Sequence, residues 1–228
     1  MANFQWPSTF SEAIALQREL ATRVRCEDDG SPIRTIGGID VSTPAHSDEG
    51  FAAIVVLSFP DLQVQEVAHA RMTMPFPYIP GLLSFRESPV VLRAWKELKI
   101  QPDLLMIDGQ GRAHPRRLGI ACHLGLMLDR PAIGCAKSRL IGTHEAVGWE
   151  RGSQAALLDH GELVGYVVRT KDRVNPVYVS CGHRISPESA VNWVLASAQR
   201  YRLPEPTRQA HLAANAFRLK SPREAYPE

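Results

Sequence analysis

The spacing of apolar residues changes along the chain from helical to strand-like and back, which predicts a mixed α/β protein. The positions Ile14, Leu16, Leu20 and Val24 form one helical stripe, with Ser11 as the expected N-terminal cap. Three strand-like runs follow at Thr35–Ser42, Phe51–Phe59 and Leu62–Arg71. Because Phe59-Pro60-Asp61 is typical of a turn, the last two runs should form a hairpin. A short connection also joins the first two runs, so we expect an antiparallel three-strand meander.

The second half of the pattern predicts a parallel β-α-β unit. A proline-rich loop at residues 74–81 and a helix at Ser84–Lys99 precede it. The unit consists of the strand Asp103–Asp108, the helix Leu118–Leu128 and the strand Ala132–Ala136. Later strands are expected at Leu163–Arg169 and Val177–Ser180, helices at Glu188–Arg200 and Thr207–Leu219, and a frayed tail at residues 221–228. The predicted fold is one α/β domain over residues 1–228, with a mixed sheet and helices on both faces.

Composition adds little to this picture except exclusions. The 228 residues are 44% hydrophobic and 22% charged, with a formal net charge of +2, as in an ordinary globular protein. No apolar run approaches the ~18 residues that a membrane span needs, and the first ten residues lack a secretory pattern. We therefore expect a cytoplasmic protein without a membrane partner, acting as a monomer. The four cysteines form no C-x-x-C pair, which favours reduced thiols over a zinc site.

Two aspartates follow apolar runs and are the first candidates for chemistry. Asp40 lies in Gly37-Gly38-Ile39-Asp40, and Asp108 ends the buried strand of the β-α-β unit. A lone aspartate of this kind is more often a turn cap, but ligands in α/β sheets collect at the carboxyl ends of parallel strands. If the two strands are adjacent, the two carboxylates meet, and a hard divalent cation offsets their repulsion. With Glu87 as a third acid and no cysteine ligand, the set favours Mg²⁺ or Mn²⁺ over zinc.

Basic residues cluster downstream of these acids. Residues 109–142 and residues 199–223 each contain six Arg or Lys and one acid, which suits a phosphate-ester substrate. His114 could steer a water molecule or could simply be a surface histidine, and Lys137 could contact a phosphate oxygen. Tyr78 in the proline-rich loop could wedge between bases or pack in the ordinary way. The P-loop and the nucleophile elbow are missing, and the dinucleotide fingerprint is incomplete. A metal nuclease and a non-catalytic nucleic-acid binder remain.

Several motifs resemble those of the endonuclease V family. They are Gly38-Ile39-Asp40, Pro77-Tyr78-Ile79-Pro80-Gly81, Leu83-Ser84-Phe85-Arg86-Glu87, Asp108-Gly109-Gln110-Gly111, Ala113-His114-Pro115-Arg116-Arg117, Ile133-Gly134-Cys135-Ala136-Lys137-Ser138 and Leu203-Pro204-Glu205-Pro206-Thr207-Arg208. The resemblance covers about residues 10–215 and implies a ribonuclease H-like fold. It also implies hydrolysis, with Mg²⁺ as the cofactor and Mn²⁺ able to substitute, of the second phosphodiester bond 3′ to a deaminated base, chiefly hypoxanthine.

The resemblance also implies residue roles. Asp40 and Asp108 would bind the metal, Glu87 would complete the acidic site, and Lys137 and His114 would lie at the scissile phosphate. His211 matches a position near the active site in some members. Substrate contacts would come from Tyr78, Pro80, Gly81, Gly109, Gly111 and Arg116, and the glycine-bearing segments would accept a flipped base.

One departure keeps alternatives open. Gln110 stands where the family usually has histidine, and glutamine can hydrogen-bond but cannot titrate near neutrality. A binder of deaminated nucleic acid that cleaves little is therefore a second hypothesis. A third is a nuclease that prefers inosine-containing RNA, since the 2′-hydroxyl is the general handle that separates RNA from DNA.

Overall fold

The structure is a computed structural model that describes residues 6–45 and 47–221. The predicted tail at residues 222–228 lies outside the described residues. The elements in chain order are α1 (Phe10–Ala21), β1 (Thr35–Ser42), β2 (Glu49–Ser58), β3 (Val64–Thr73), α2 (Leu83–Lys96), β4 (Leu104–Ile107), α3 (Ile120–Leu128), β5 (Ala132–Ala136), β6 (Gln154–Asp159), β7 (Glu162–Val168), β8 (Val177–His183), α4 (Pro187–Ser197) and α5 (Glu205–Lys220).

All eight described strands form one mixed sheet in the order β3-β2-β1-β4-β5-β8-β7-β6. The strands β1, β2 and β3 form the predicted antiparallel meander, while β1, β4 and β5 are parallel neighbours. Continuous apolar sequence explains the central position of β4, since all four of its residues are buried between two layers of helices. The predicted fold class, a mixed sheet with helices on both faces, is therefore confirmed.

Alternate residues of the central strands supply two separate cores. Ile39, Leu105 and Ile107 pack against α2 and α3 on one face. Ile36, Leu104 and Met106 lie in a second core, to which α4 contributes. On this second face α5 lies against β1 and β2. The period of two along each strand thus decides which helix each side chain meets.

One local prediction is wrong, and one strand was not predicted. The first helix begins at Phe10, and Thr9 rather than Ser11 caps it, because Glu12 bonds back to the Thr9 backbone in a capping box. The strand β6 was missed, since Gln154–Asp159 carries no β-branched residue and is half exposed at the sheet edge. Its signal was the turn instead: His160 and Gly161 both have positive φ, the geometry of a two-residue hairpin.

The contact between β1 and α5 requires a glycine. A Cβ on Gly38 would lie 1.9 Å from the carbonyl oxygen of Pro206, which is backbone and cannot move aside. Because strand residues alternate, Gly38, Asp40 and Ser42 all face α5. The bare backbone at Gly38 therefore sets how closely this helix approaches Asp40.

We expect Gly38→Ala to lower the free energy of unfolding by about 1–3 kcal/mol or more, because the added methyl overpacks a backbone contact. Urea unfolding followed by circular dichroism measures the change. Gly148→Ala is the matched control, since its Cβ would meet no backbone and only the Ser153 side chain, with Oγ at 2.7 Å and Cβ at 3.2 Å. Equal stability of the two variants would contradict the close-approach argument.

Candidate active site

Asp40 and Asp108 lie side by side at the carboxyl ends of adjacent strands. Ile39 of β1 pairs with Ile107 of β4, and the Asp108 amide donates to the Ile39 carbonyl at 3.1 Å. Both aspartates come one residue after this pair, so the parallel register brings their carboxylates to one point. Their side chains are only 11% and 10% exposed. The two strands thus deliver two poorly hydrated carboxylates to the same edge of the sheet.

His211 from α5 is the third member of this cluster. Its Nδ1 lies 2.9 Å from Oδ2 of Asp40. One oxygen from each aspartate and one ring nitrogen of His211 lie within 4.8 Å of one another, a spacing that could hold a metal ion. No cysteine belongs to this cluster, and all four cysteines are free thiols. Carboxylate oxygens with one imidazole suit a hard or borderline divalent cation.

A hydrogen-bonded row behind His211 fixes the orientation of its ring. Nδ2 of Asn215 lies 3.2 Å from Nε2 of His211 and donates to its backbone carbonyl at 3.0 Å. The Ser42 hydroxyl donates to Oδ1 of Asn215 at 2.8 Å and accepts from Nε of Arg218 at 2.8 Å. Because an ionised carboxylate only accepts, Nδ1 of His211 is the donor in its hydrogen bond with Asp40.

The charges around the aspartates follow from burial and proximity. Burial and the nearby Asp108 carboxylate raise the pKa of Asp40, while His211 and Lys137 oppose that rise. The Lys137 ammonium, which directly follows β5, forms an ion pair with Oδ2 of Asp108. Each aspartate therefore has one basic side chain as its partner. A cation bound at this point would likewise offset the repulsion between the two carboxylates.

Glu87 belongs to the electrostatic neighbourhood of the cluster, although not to the three groups within 4.8 Å. It lies in the second turn of α2, and burial together with the Asp40 and Asp108 charges raises its pKa to about 8. Such a carboxyl group holds its proton at neutral pH unless a positive charge enters the site. All three sequence-predicted acids therefore influence one another.

A cavity of about 410 Å³ opens beside Asp108 and Lys137. Its volume falls in the range of small-ligand sites. Among the predicted substrate residues, Tyr78, Pro80, Gly81 and Gly109 line it, and Gln110, Ser138, Arg139 and Leu140 continue the wall. The ring of Tyr78 is 69% exposed at its rim. Gly111 instead lies against β8, where a Cβ would meet the Cys181 carbonyl at 2.1 Å.

The carbonyl of Gly81 holds the Tyr78 loop in place by accepting three hydrogen bonds. The donors are Nε2 of His114 at 3.1 Å, Nη2 of Arg116 at 2.6 Å and Nε2 of Gln17 at 3.1 Å. Gly81 itself has φ +79°, where a side chain is strained, and a Cβ would press on the Arg116 guanidinium. His114 and Arg116 therefore tie the loop to the body of the protein.

His114 is buried and neutral. The Arg116 amide donates to Nδ1 at 3.2 Å, so the single ring proton lies on Nε2 and faces Gly81. Burial and the adjacent Arg116 charge lower the pKa of His114 to about 4. Both ring nitrogens are thus engaged with backbone, and the geometry points to a positioning role.

Most of the predicted basic residues bind protein rather than face outward. Arg112 and Arg117 both pair with Glu162, and Arg208 pairs with Glu205. Arg202 donates to the carbonyls of Lys137 and Pro176. Charge counts along the sequence could not distinguish these internal pairs from a substrate-facing surface.

Sequence reasoning missed two residues that shape the site. Gln17 is 1% exposed and lies on the inward face of α1 between Ala13 and Leu20, so a glutamine inside an apolar stripe was the available signal. Asn215 follows His211 by four residues on α5, which places both on one helix face. Neither signal specifies a partner without the fold.

Comparison with known proteins identifies the family. The family model described as endonuclease V matches residues 18–212. The chain belongs to the endonuclease V family. A curated endonuclease V from Roseiflexus sp. (strain RS-1) is 51% identical over 214 residues, covering 94% of this chain and 96% of that protein. These matches confirm the family resemblance read from the motifs.

Solved endonuclease V structures share the fold. The Streptomyces avermitilis endonuclease V has a TM-score of 0.90 and 42% identity, covering 94% of this chain and 95% of that one. The Ciona intestinalis endonuclease V, in complex with a 24mer DNA containing an inosine followed by a ribo-adenosine, has a TM-score of 0.82 and 26% identity, covering 92% and 98%.

Membership in the endonuclease V family makes this chain a nuclease with a ribonuclease H-like fold and associates it with DNA repair. Within residues 6–45 and 47–221, no helix combines the length and the apolar character that crossing a bilayer requires.

The buried neutral state of His114 predicts a pH-dependent stability. Its pKa is about 4 in the folded chain and 6.5 for an unperturbed histidine, so the unfolded chain binds more protons between these values. The free energy of unfolding should therefore fall as the pH drops from 6.5 toward 4, by up to about 1.4 kcal/mol per pH unit for this group.

Urea titrations across this pH range measure the slope. We expect His114→Asn to reduce the slope of the unfolding free energy against pH by up to about 1.4 kcal/mol per pH unit, which corresponds to one bound proton. His160→Asn, at the exposed β6–β7 turn, should leave the slope unchanged. An unaltered slope in His114→Asn would show that His114 is not held neutral by the fold.

Proposed function

We propose that this protein is a divalent-cation-dependent repair endonuclease that acts on DNA containing deaminated bases, chiefly hypoxanthine. It hydrolyses the second phosphodiester bond 3′ to the lesion and leaves 5′-phosphate and 3′-hydroxyl ends. The observation that carries the proposal is the pair of largely buried aspartates, Asp40 and Asp108, meeting beside a cavity of about 410 Å³. The inosine-containing DNA bound by the Ciona intestinalis relative supports the choice of lesion.

The residues present fit a magnesium ion, with manganese able to replace it. Asp40 and Asp108 would hold the ion, because their carboxylates are buried together and their mutual repulsion raises the pKa of Asp40. When bound, the ion supplies Lewis-acid polarisation of the phosphate and activation of water. His211 orients the Asp40 carboxylate through Nδ1, and Glu87 completes the acidic site.

Lys137 is assigned to the scissile phosphate. Its ammonium forms an ion pair with Asp108 and lies in the cavity wall, where it can reach a nonbridging oxygen. His114 lies in the cavity wall, but both of its ring nitrogens are bonded to backbone, so we assign it to positioning the Tyr78 loop. Arg116 shares that role.

The cavity is assigned to the flipped base. Pro80, Gly81 and Gly109 form part of its wall, and the exposed Tyr78 ring stands at its rim, where it could fill the gap that the base leaves in the stack. Gln110 also lines the cavity, with Nε2 donating to the Ser138 carbonyl at 2.9 Å. A glutamine therefore keeps a structural hydrogen bond at this position.

We expect Asp40→Asn or Asp108→Asn to slow nicking of an inosine-containing duplex in Mg²⁺ by on the order of 10³-fold or more, because the ion's contribution of several kcal/mol would be lost. Gel analysis of the strands measures the rate and maps the cut. Asp61→Asn, in the exposed β2–β3 turn, is the control. Cutting that persists in EDTA, or tight inosine binding without any product, would contradict the proposal.

We expect Tyr78→Ala to weaken binding of the inosine duplex about 5- to 100-fold, the range of one lost aromatic–base contact. The cleavage rate of the bound substrate should change less, because Tyr78 lies at the cavity rim rather than among the acids. Fluorescence anisotropy gives the affinity and single-turnover cleavage gives the rate. Tyr78→Phe should retain the affinity, and equal affinities of Tyr78→Ala and the parent would remove Tyr78 from lesion recognition.

A further inference from the structure

An exposed tryptophan lies at the same end of the sheet as the aspartates but outside their cavity. Trp149 is 68% exposed, in the loop that leads into β6. The strand register fixes its place: β8 begins where β5 ends, β7 ends where β8 begins, and β6 begins where β7 ends. The loop before β6 therefore shares an edge with Asp108. From β4 to β6 there are four strand spacings, or about 19 Å.

The indole of Trp149 is held rigidly on one side and open on the other. Cζ of Arg169 lies 4.8 Å from the ring centroid, and this guanidinium is buried and donates to the carbonyls of Val147, Gly148 and Val174. The Arg173 amide donates to the Trp149 carbonyl at 2.9 Å. The indole therefore has the buried Arg169 guanidinium on one side and leaves a large part of its aromatic surface free to contact a ligand.

A second aromatic residue extends this surface toward the cleavage site. Tyr201 is 51% exposed, with Cζ of Arg208 4.4 Å from its ring centroid. Its loop contacts both regions, because the Thr170 hydroxyl donates to the Arg202 carbonyl at 2.5 Å and Arg202 donates to the Lys137 carbonyl at 2.6 Å. We call Trp149, Tyr201 and the loops 169–176 and 198–204 the aromatic surface. On its two loops Lys171, Arg173 and Arg200 are exposed beside one exposed acid, Asp172, whereas Arg169 and Arg202 are bonded to backbone carbonyls.

We propose that the aromatic surface binds an unpaired stretch of the nucleic-acid strand that passes through the active site, with a base stacked on Trp149. Bases in an intact duplex have no free face, whereas an unpaired base can stack on an aromatic ring of any sequence context. The surplus of positive charge suits the phosphates of that strand. The inference rests on the proposed function, since it takes a strand in the cleavage site as its starting point.

Anisotropy in EDTA with labelled oligonucleotides tests the proposal. One probe carries a central inosine duplex with unpaired arms, and the other is fully paired. We expect Trp149→Ala to raise the Kd for the armed probe about 5- to 100-fold and to leave the Kd for the paired probe within twofold. Trp149→Phe should retain most of the affinity, and Trp149→Ala with Tyr201→Ala should lose more than either alone. Equal losses on both probes would overturn the stacking proposal.

Intrinsic fluorescence gives a direct signal of stacking that needs neither inosine nor cleavage. Trp149 is the exposed member of the four tryptophans, so a single-stranded oligonucleotide without inosine should quench emission in the parent but not in Trp149→Phe. Unchanged emission would overturn the proposal. A change of molecular mass in Trp149→Ala by light scattering, with the same affinity for the armed probe, would assign the surface to a second copy of the chain instead.

These outcomes separate the surface from the proposed function. If the protein fails to nick inosine DNA but Trp149 is still quenched, the proposed function fails and the surface stands. If it nicks inosine DNA while Trp149→Ala binds the armed probe like the parent, the surface fails and the proposed function stands.

Discussion

The repulsion between two buried carboxylates governs the arrangement of this site. Asp40 and Asp108 cannot both be ionised and poorly hydrated at adjacent strand ends without positive charge nearby. The Lys137 ammonium pairs with Asp108 on one side, and the His211 ring hydrogen-bonds to Asp40 on the other. The glycine at position 38 lets the histidine helix come close enough, and the row of Asn215 and Ser42 aims its ring. The close packing of α5 on β1 is therefore also what places His211 beside Asp40.

The cavity beside the acids depends on a different feature, the Gly81 carbonyl, which accepts three hydrogen bonds. Three donors from two separate segments of the chain converge on this oxygen. They fix the loop that carries Tyr78 without using the Tyr78 side chain itself, which is left at the cavity rim. An exposed ring on a loop that is already held in place can enter a base stack without the entropy cost of ordering that loop on binding.

Sequence patterns predicted the framework better than the contacts. The meander and the β-α-β unit follow from apolar periodicity. The meeting of the two aspartates follows from the rule for parallel strand ends only if β1 and β4 are neighbours, and the sequence left that pairing open. The cap at Thr9 and the strand β6 were lost because neighbouring capping residues compete and because an edge strand needs little apolar sequence. The partners of Arg112, Arg117 and His114 could not be predicted, since Glu162 and the Gly81 carbonyl are distant in the chain and only the tertiary structure brings them near. For the same reason, the clusters of basic residues in the sequence indicated more substrate-facing positive charge than the structure has.

The hydrogen bond between His211 and Asp40 joins residues 171 positions apart. Contacts of such long sequence separation form late, because the intervening chain must already be ordered before they offset its closure entropy. During synthesis on the ribosome, both aspartates emerge well before α5 does. The nascent polypeptide thus carries the two aspartates without their histidine partner through most of its translation, and the three side chains come together only after nearly all of the sheet is in place.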